Sequence, residues 1–172
     1  ASGYNDRRRE VEEALEVIRA AYPQVRSYRH CTPEMVEALR HKLGPIGHRR
    51  AAFVVGEIQR VEQAAAALEA GDLQRVGSLL SRTHQGLSTE YEVSCAELDF
   101  MVAATLEQEG VLGTRMMGGG FGDCSINLLR QDAVDRVAEA VGEAYHRRYG
   151  IRMDIHPVRI AQGMHEHQAV AR

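Results

Sequence analysis

Apolar residues recur every three or four positions through the first two-thirds of the chain, and the pattern turns strand-like only near the end. From Asp6 to about Tyr22, Val11, Ala14, Leu15, Ile18 and Ala21 form one stripe with charged residues opposite, which predicts an amphipathic helix stopped by Pro23. Thr32-Pro33 reads as a cap followed by proline at the first helical position, opening a short helix that ends near Gly44-Pro45. The longest helical stretch runs from His48 to Ala70, with Phe53, Val54, Ile58, Val61, Ala65 and Leu68 on or near one face and Gly71 as its stop. Asp72 caps the next helix, which carries Leu73, Val76, Leu79 and Leu80. Ser94-Cys95-Ala96-Glu97 fits a capping box, in which Ser94 bonds the Glu97 amide and Glu97 bonds back. It opens a helix through Leu98, Met101, Val102 and Leu106 to Gly110.

The last third changes character. Leu112 to Met117 and Cys124 to Leu129 read as strands. Asp132 opens a further helix, with Ala133, Val134, Val137, Ala138, Val141, Ala144 and Tyr145 on its apolar side and Gly150 at its end. Ile151 to Ile160 returns to an extended pattern. Strand, loop, strand, helix and strand after a helical stretch predict an α+β domain, with helices packed on one face of a small antiparallel sheet. With 172 residues and no repeat, low-complexity tract or linker, the chain reads as a single domain over 1–172.

Between the two strands lies Arg115-Met116-Met117-Gly118-Gly119-Gly120-Phe121-Gly122-Asp123-Cys124, with four glycines in five residues. Glycine adopts positive φ without steric cost and leaves its amide unshielded, so a concave row of such amides holds an anion such as phosphate. A tight connection with no ligand is the plainer alternative. Two familiar phosphate motifs are excluded, because the dinucleotide fingerprint and the P-loop require a helix straight after the glycines. Here a strand follows, and Asp123 and Cys124 stand where a P-loop has Lys and Ser or Thr. The only lysine in the chain is Lys42.

Composition narrows the classes further. Net charge is −3 with acids and bases interspersed, so there is no basic footprint for nucleic acid. No apolar run approaches the roughly 18 residues of a membrane span, and the first residues have no signal-peptide core. Cys31, Cys95 and Cys124 are odd in number and lack metal-ligand spacing, which fits reduced thiols in a cytoplasmic protein.

The order of three blocks resembles the C-terminal half of the galactokinases, in the GHMP small-molecule kinase superfamily. Tyr4-Asn5-Asp6-Arg7-Arg8 is similar to the family's Tyr-Asn-x-Arg-Arg segment. Ser81-Arg82-Thr83-His84-Gln85-Gly86-Leu87, running into Tyr91-Glu92-Val93-Ser94-Cys95-Ala96-Glu97-Leu98-Asp99, resembles its Ser-His-x-Ser-Leu and Tyr-Glu-Val-Ser-Cys-Pro-Glu-Leu-Asp block. Gly113 to Gly122 resembles its third conserved motif, whose glycines lie near the nucleotide phosphates. The resemblance implies the ferredoxin-like fold of a GHMP kinase C-terminal domain. It implies ATP-dependent phosphorylation of D-galactose at C1 with Mg²⁺, giving galactose 1-phosphate, by an enzyme that is monomeric when complete. The sugar-recognition motif, the Ser-rich phosphate loop and the catalytic Asp of the family belong to its N-terminal half and are not in this sequence. The resemblance therefore implies an N-terminal kinase domain as partner, and an isolated chain that does not turn over. The other reading is a non-catalytic relative that senses sugar or nucleotide on the same fold.

Carried over residue by residue, the resemblance gives Tyr4 the sugar contact and Gly118, Gly119, Gly120, Phe121 and Gly122 the nucleotide side, with no catalytic residue and no metal ligand in this chain. His84 matches the family's Ser-His pair, although Thr83 replaces the Ser, and a structural hydrogen bond is its expected role. Arg7, Arg8 and Arg9 are expected to pair with Glu10, Glu12 and Glu13 at a solvated helix start. Glu97 belongs to the capping box, while Glu92 and Asp99 fix the turn before the helix. His165-Glu166-His167 reads as a frayed end. Asp123 stands where the family has a further glycine, Met117 where it has Thr, and Ser88-Thr89-Glu90 where it has an Arg-Asp-Asp-like run. A carboxylate beside a phosphate-facing loop repels the nucleotide unless it turns away or meets Mg²⁺.

Overall fold

A computed structural model of the chain describes residues 2–158. Helix α1 spans Ser2–Ala21, α2 Pro33–Ala38, α3 Arg40–Glu69, α4 Leu73–Thr89 and α5 Ala96–Leu106. Strands β1 (Val111–Met117) and β2 (Cys124–Leu129) follow, then α6 (Val134–Tyr149). The stops and caps act as local chemistry dictates. Thr32 Oγ1 accepts from the Met35 amide at 3.3 Å, with Pro33 at the first helical position. Asp72 Oδ1 accepts from the Arg75 amide at 2.9 Å, and Gly150 closes α6 in the left-handed conformation.

The helix-rich half has its own core. Ala14 and Ile18 of α1 meet Val36 and Leu39 of the α2 turn and Ala51 and Val55 of α3, while Tyr28 donates its hydroxyl to the Val11 carbonyl at 2.8 Å. Of these, the larger aliphatic side chains, Ile18, Val36, Leu39 and Val55, contribute about 1.5–3 kcal/mol each by their burial. A second cluster joins Val93 and Leu98 to Met116 of β1, and a third joins Val137 and Val141 of α6 to Ala133, flanked by Val111 and Leu129. The sheet is antiparallel, from Val111 opposite Leu129 to Met117 opposite Cys124, with an irregularity between Val111 and Gly113.

The edge of β1 not paired with β2 lies against α4. The Thr114 amide reaches Ser81 Oγ at 3.4 Å, and the Met116 amide donates to His84 Nδ1 at 3.2 Å. Side chains of a helix thus satisfy amides that a third strand would otherwise take. Helix and strand also touch backbone to backbone: a Cβ at Gly77 would fall on the Leu112 carbonyl, and one at Gly113 on Gly77.

Five expectations change. Residues 151–158 form no strand, so the described sheet has two strands rather than three; Ile151, Ile155 and Val158 stay exposed, and an extended run without a partner edge remains coil. The capping box does not form: Cys95 is the N-cap with no side-chain bond, because Ser94 Oγ donates instead to Asp99 Oδ1 at 2.6 Å. Helix α5 ends at Leu106, four residues early. The expected short helix divides into α2 and a turn continuous with α3, where Gly44 at φ 66° bends the chain and Pro45 restarts it. The single stripe of α3 also fails in its second half, since Val61 is 68% and Leu68 50% exposed. Helix α3 lies between α1 and α4 in its first half and is apolar on two sides there; toward its far end it keeps α4 alongside, with Ala67 buried and Arg75 donating to Gln63 at 3.2 Å, while Val61 and Leu68 face outward.

Candidate functional site

The hairpin connection after β1 is built as a bare-backbone bend. Gly118, Gly120 and Gly122 have φ of 82°, 85° and 115°, and Phe121 joins them at 60°. The Phe121 amide donates to the Val93 carbonyl at 2.9 Å, seating the loop on the strap before α5. Among the described residues no other amide of Gly118 to Gly122 has a hydrogen-bond partner. A Cβ at Gly120 would fall on that same Val93 carbonyl, so only glycine fits there. Asp123 folds its carboxylate back over the Gly118 α-carbon.

The first turn of α1 lies beside this loop. The Tyr4 ring approaches to 3.8 Å of the position a Cβ on Gly119 would take, and the edge of the Phe121 ring lies 2.7 Å from that of Gly3. Tyr4 is 55% and Phe121 48% exposed, with Met117 and Ile126 of the hairpin also open. The structure therefore brings together Tyr4 and Gly118 to Gly122, which lie over a hundred residues apart in sequence.

A charged network holds the strap and α1 in place. Arg50 of α3, only 1% exposed, donates to Glu10 at 2.7 Å and also binds Glu92 and the Glu90 carbonyl. Arg7 bridges Glu10 at 2.9 Å and Glu92 at 3.2 Å, and Arg49 reaches Glu92 at 3.1 Å. Glu92 itself sits at φ 57°. Arg8 and Arg9 pair with Glu12 and Glu13 as expected. Arg50 was not visible as a site residue; its signal was an arginine three residues before the buried Phe53, on the same side of the helix.

His84 is structural in its contacts. With Nδ1 accepting from Met116, Nε2 carries the hydrogen toward Asp99 Oδ1 at 3.2 Å, and Ser88 Oγ donates to Asp99 Oδ2 at 3.0 Å. Burial holds the imidazole below its ordinary pKa, against the opposing pull of Asp99. Protonation at Nδ1 would set a donor against the Met116 amide. Since the unfolded chain takes up that proton first, stability from neutral His84 is complete above about pH 6.5 and falls away in more acid solution. Urea midpoints between pH 7.5 and 5.5 are expected to drop more steeply for the parent than for His84→Asn, whose amide oxygen retains an acceptor; parallel curves would refute this.

Glycine amides free of partners fit phosphate oxygens. Asp123 sets a carboxylate beside Gly118, and one carboxylate with phosphate oxygens is a usual Mg²⁺ setting. Among the described residues no three His, Cys, Asp or Glu gather to hold a metal, and His165-Glu166-His167 lie outside those residues. Among the described residues, too, no helix is long and apolar enough to cross a membrane.

Comparison with known proteins gives a consistent result. Residues 64–147 match the family model of the GHMP kinases C terminal. The chain is 47% identical to galactokinase of Bos taurus over 146 residues, which is 85% of this chain and 36% of that protein. It is 38% identical to galactokinase of Thermotoga maritima over 164 residues, or 95% and 44%. The crystal structure of Lactococcus lactis galactokinase complexed with galactose superposes with a TM-score of 0.82 at 35% identity, covering 88% of this chain and 39% of that one. The chain thus spans about two-fifths of the length of the curated relatives it matches.

Proposed function

The chain belongs to the GHMP kinases as a galactokinase-like C-terminal domain, and from that premise we propose that residues 1–172 supply one wall of a galactokinase active site. The reaction is transfer of the ATP γ-phosphoryl group to the C1 hydroxyl of D-galactose. The observation that carries this reading is the juxtaposition of the Tyr4 ring with the Gly118–Gly122 bend, whose glycine amides are open. Tyr4 receives the sugar through a hydroxyl that both donates and accepts, beside an apolar ring suited to a pyranose face. Gly118, Gly119, Gly120 and Gly122 present N–H groups to phosphate oxygens, and the exposed Phe121 ring limits water at the loop. Mg²⁺, when bound with the nucleotide, neutralises charge on the phosphates.

Phosphoryl transfer depends on positioning and charge stabilisation, and the family resemblance puts the catalytic Asp in the N-terminal half. His84 is committed to Met116 and Asp99. We therefore expect the 172-residue chain alone to consume no ATP in response to galactose above a blank without enzyme. A hybrid in which this chain replaces the matching part of Lactococcus lactis galactokinase should form galactose 1-phosphate. In it Tyr4→Phe should raise KM for galactose about tenfold, the worth of one lost hydrogen bond. Turnover by the isolated chain would overturn its dependence on a partner half, whereas a hybrid that binds both ligands without turnover would overturn the enzymatic reading and favour a sensor.

A further inference from the structure

Phe121 breaks the logic of its own loop. Every other residue of the bend with positive φ is a glycine, which costs nothing there, whereas a phenylalanine at φ 60° is strained. A fourth consecutive glycine would relax the backbone and leave the same amide free to reach Val93. What glycine would remove is the ring. That ring does not enter the hydrophobic core beneath the hairpin; it is 48% exposed, and its edge meets the α-carbon of Gly3. Gly3 is as particular as its partner, since a methyl group there would stand 2.7 Å from Cζ and 2.8 Å from Cε1 of the ring. Tyr4, the next residue, lies against Gly119, three positions before Gly122. The loop and the first turn of α1 therefore touch at two adjoining points, and at one of them a ring carried on strained backbone closes directly on a glycine.

We propose that Phe121 is a positioning residue that links the two halves of the site: its ring, seated on Gly3, transmits the conformation of the glycine bend to Tyr4. This rests on the reading of Tyr4 as the sugar side and the bend as the nucleotide side. Its consequence is a linkage. When phosphate oxygens order the Gly118–Gly122 amides, the ring is held against Gly3 and the first turn of α1 is fixed with the Tyr4 hydroxyl in place. By reciprocity, sugar on Tyr4 tightens nucleotide binding by the same factor. A ring that merely filled space would support the fold and would carry no such coupling.

Two measurements test this. In the 172-residue chain, amide hydrogen exchange at Asp6, Arg7 and Arg8 reports opening of the first turn of α1. Exchange is expected to quicken about tenfold in Phe121→Ala and in Gly3→Ala, with no further gain in the double variant and no change in α6. Unchanged exchange in Phe121→Ala, effects that multiply in the double variant, or equal quickening in α6 would each overturn the contact as a link. In the hybrid with Lactococcus lactis galactokinase, the Kd of a non-hydrolysable ATP analogue is measured with and without galactose. Galactose is expected to tighten analogue binding in the parent and to lose that effect in Phe121→Ala, whatever the affinity of that variant for the analogue alone. Coupling that persists in Phe121→Ala, or is missing from a parent that binds both ligands, would overturn the proposal. A parent hybrid that binds neither ligand would instead count against the reading of the site, and the exchange result would still decide whether Phe121 holds Gly3.

Discussion

Replacing Arg50 with methionine is expected to destabilise the chain by about 3 kcal/mol, at the lower end of the range for breaking a buried ion pair. The side chain is 1% exposed and reaches three acceptors on two elements: Glu10 of α1, and Glu92 and the Glu90 carbonyl of the strap before α5. Methionine fills much of the volume, so the loss is electrostatic rather than a cavity. It strands the Glu10 carboxylate, which is largely buried, and leaves the Glu90 carbonyl without its donor. Two features keep the cost from reaching the top of the range. Arg7 continues to bridge Glu10 and Glu92, and Glu92 is nearly half exposed, where water screens its charge. Lysine at this position retains the charge, but a single ammonium cannot span the three acceptors, so Arg50→Lys should cost about half as much. The decisive comparison is the triple variant Arg50→Met with Glu10→Gln and Glu92→Gln. If the damage comes from unpaired carboxylates, urea unfolding will show the triple variant to be more stable than Arg50→Met alone. Additive losses would refute the network. The effect also reaches the site, because the strap that Arg50 and Glu92 anchor carries the Val93 carbonyl on which the Phe121 amide rests.

Sequence reasoning succeeded where a residue acts on its own neighbours. Pro23, Gly71 and Gly150 stop helices because of their own backbone geometry, and Thr32 and Asp72 cap helices by bonding amides three residues on. The hairpin strands were legible for the same reason, β1 to within one residue and β2 in full. What failed depends on partners distant in the chain. Ser94 has a local choice, the Glu97 amide, but the Asp99 carboxylate offers a stronger, charged acceptor and wins. Ile151 to Val158 has strand-like composition, yet a strand exists only against an edge. Arg50 reads as one more charge on a long helix until α1 and the strap close over it. The candidate site divides in the same way. The glycine bend was visible in itself, and the place of Tyr4 came through resemblance. The seating of Phe121 on Gly3 depends on a contact spanning more than a hundred residues, which no local pattern encodes.

Gly113→Ala is expected to cost about 3 kcal/mol or more, although it adds a single methyl group, while the same change at Gly56 should stabilise the chain by about 0.5–1 kcal/mol. Gly56 lies inside α3 with open space where its Cβ would be, so alanine there only reduces the freedom of the unfolded chain. At Gly113 the new methyl would lie on the backbone of Gly77, its carbonyl and α-carbon included, in the middle of α4. A flexible side chain could turn away from such a clash, whereas a helix backbone moves only as a unit. Shifting α4 outward would stretch two bonds that hang on the same close approach, from the Thr114 amide to Ser81 and from the Met116 amide to His84. Those amides have no strand to turn to, so their loss leaves buried donors unpaired, each costing about 1–3 kcal/mol. Gly77→Ala meets the Leu112 carbonyl from the other side and should be comparably damaging. Since both changes enlarge one gap, the second should add little once the first has forced the layers apart. Thermal or urea unfolding of Gly56→Ala, Gly77→Ala, Gly113→Ala and the paired variant decides the matter. A Gly113→Ala chain as stable as its parent would mean that α4 and β1 are not held at backbone distance, and that Ser81 and His84 do not cap the strand that leads into the glycine bend.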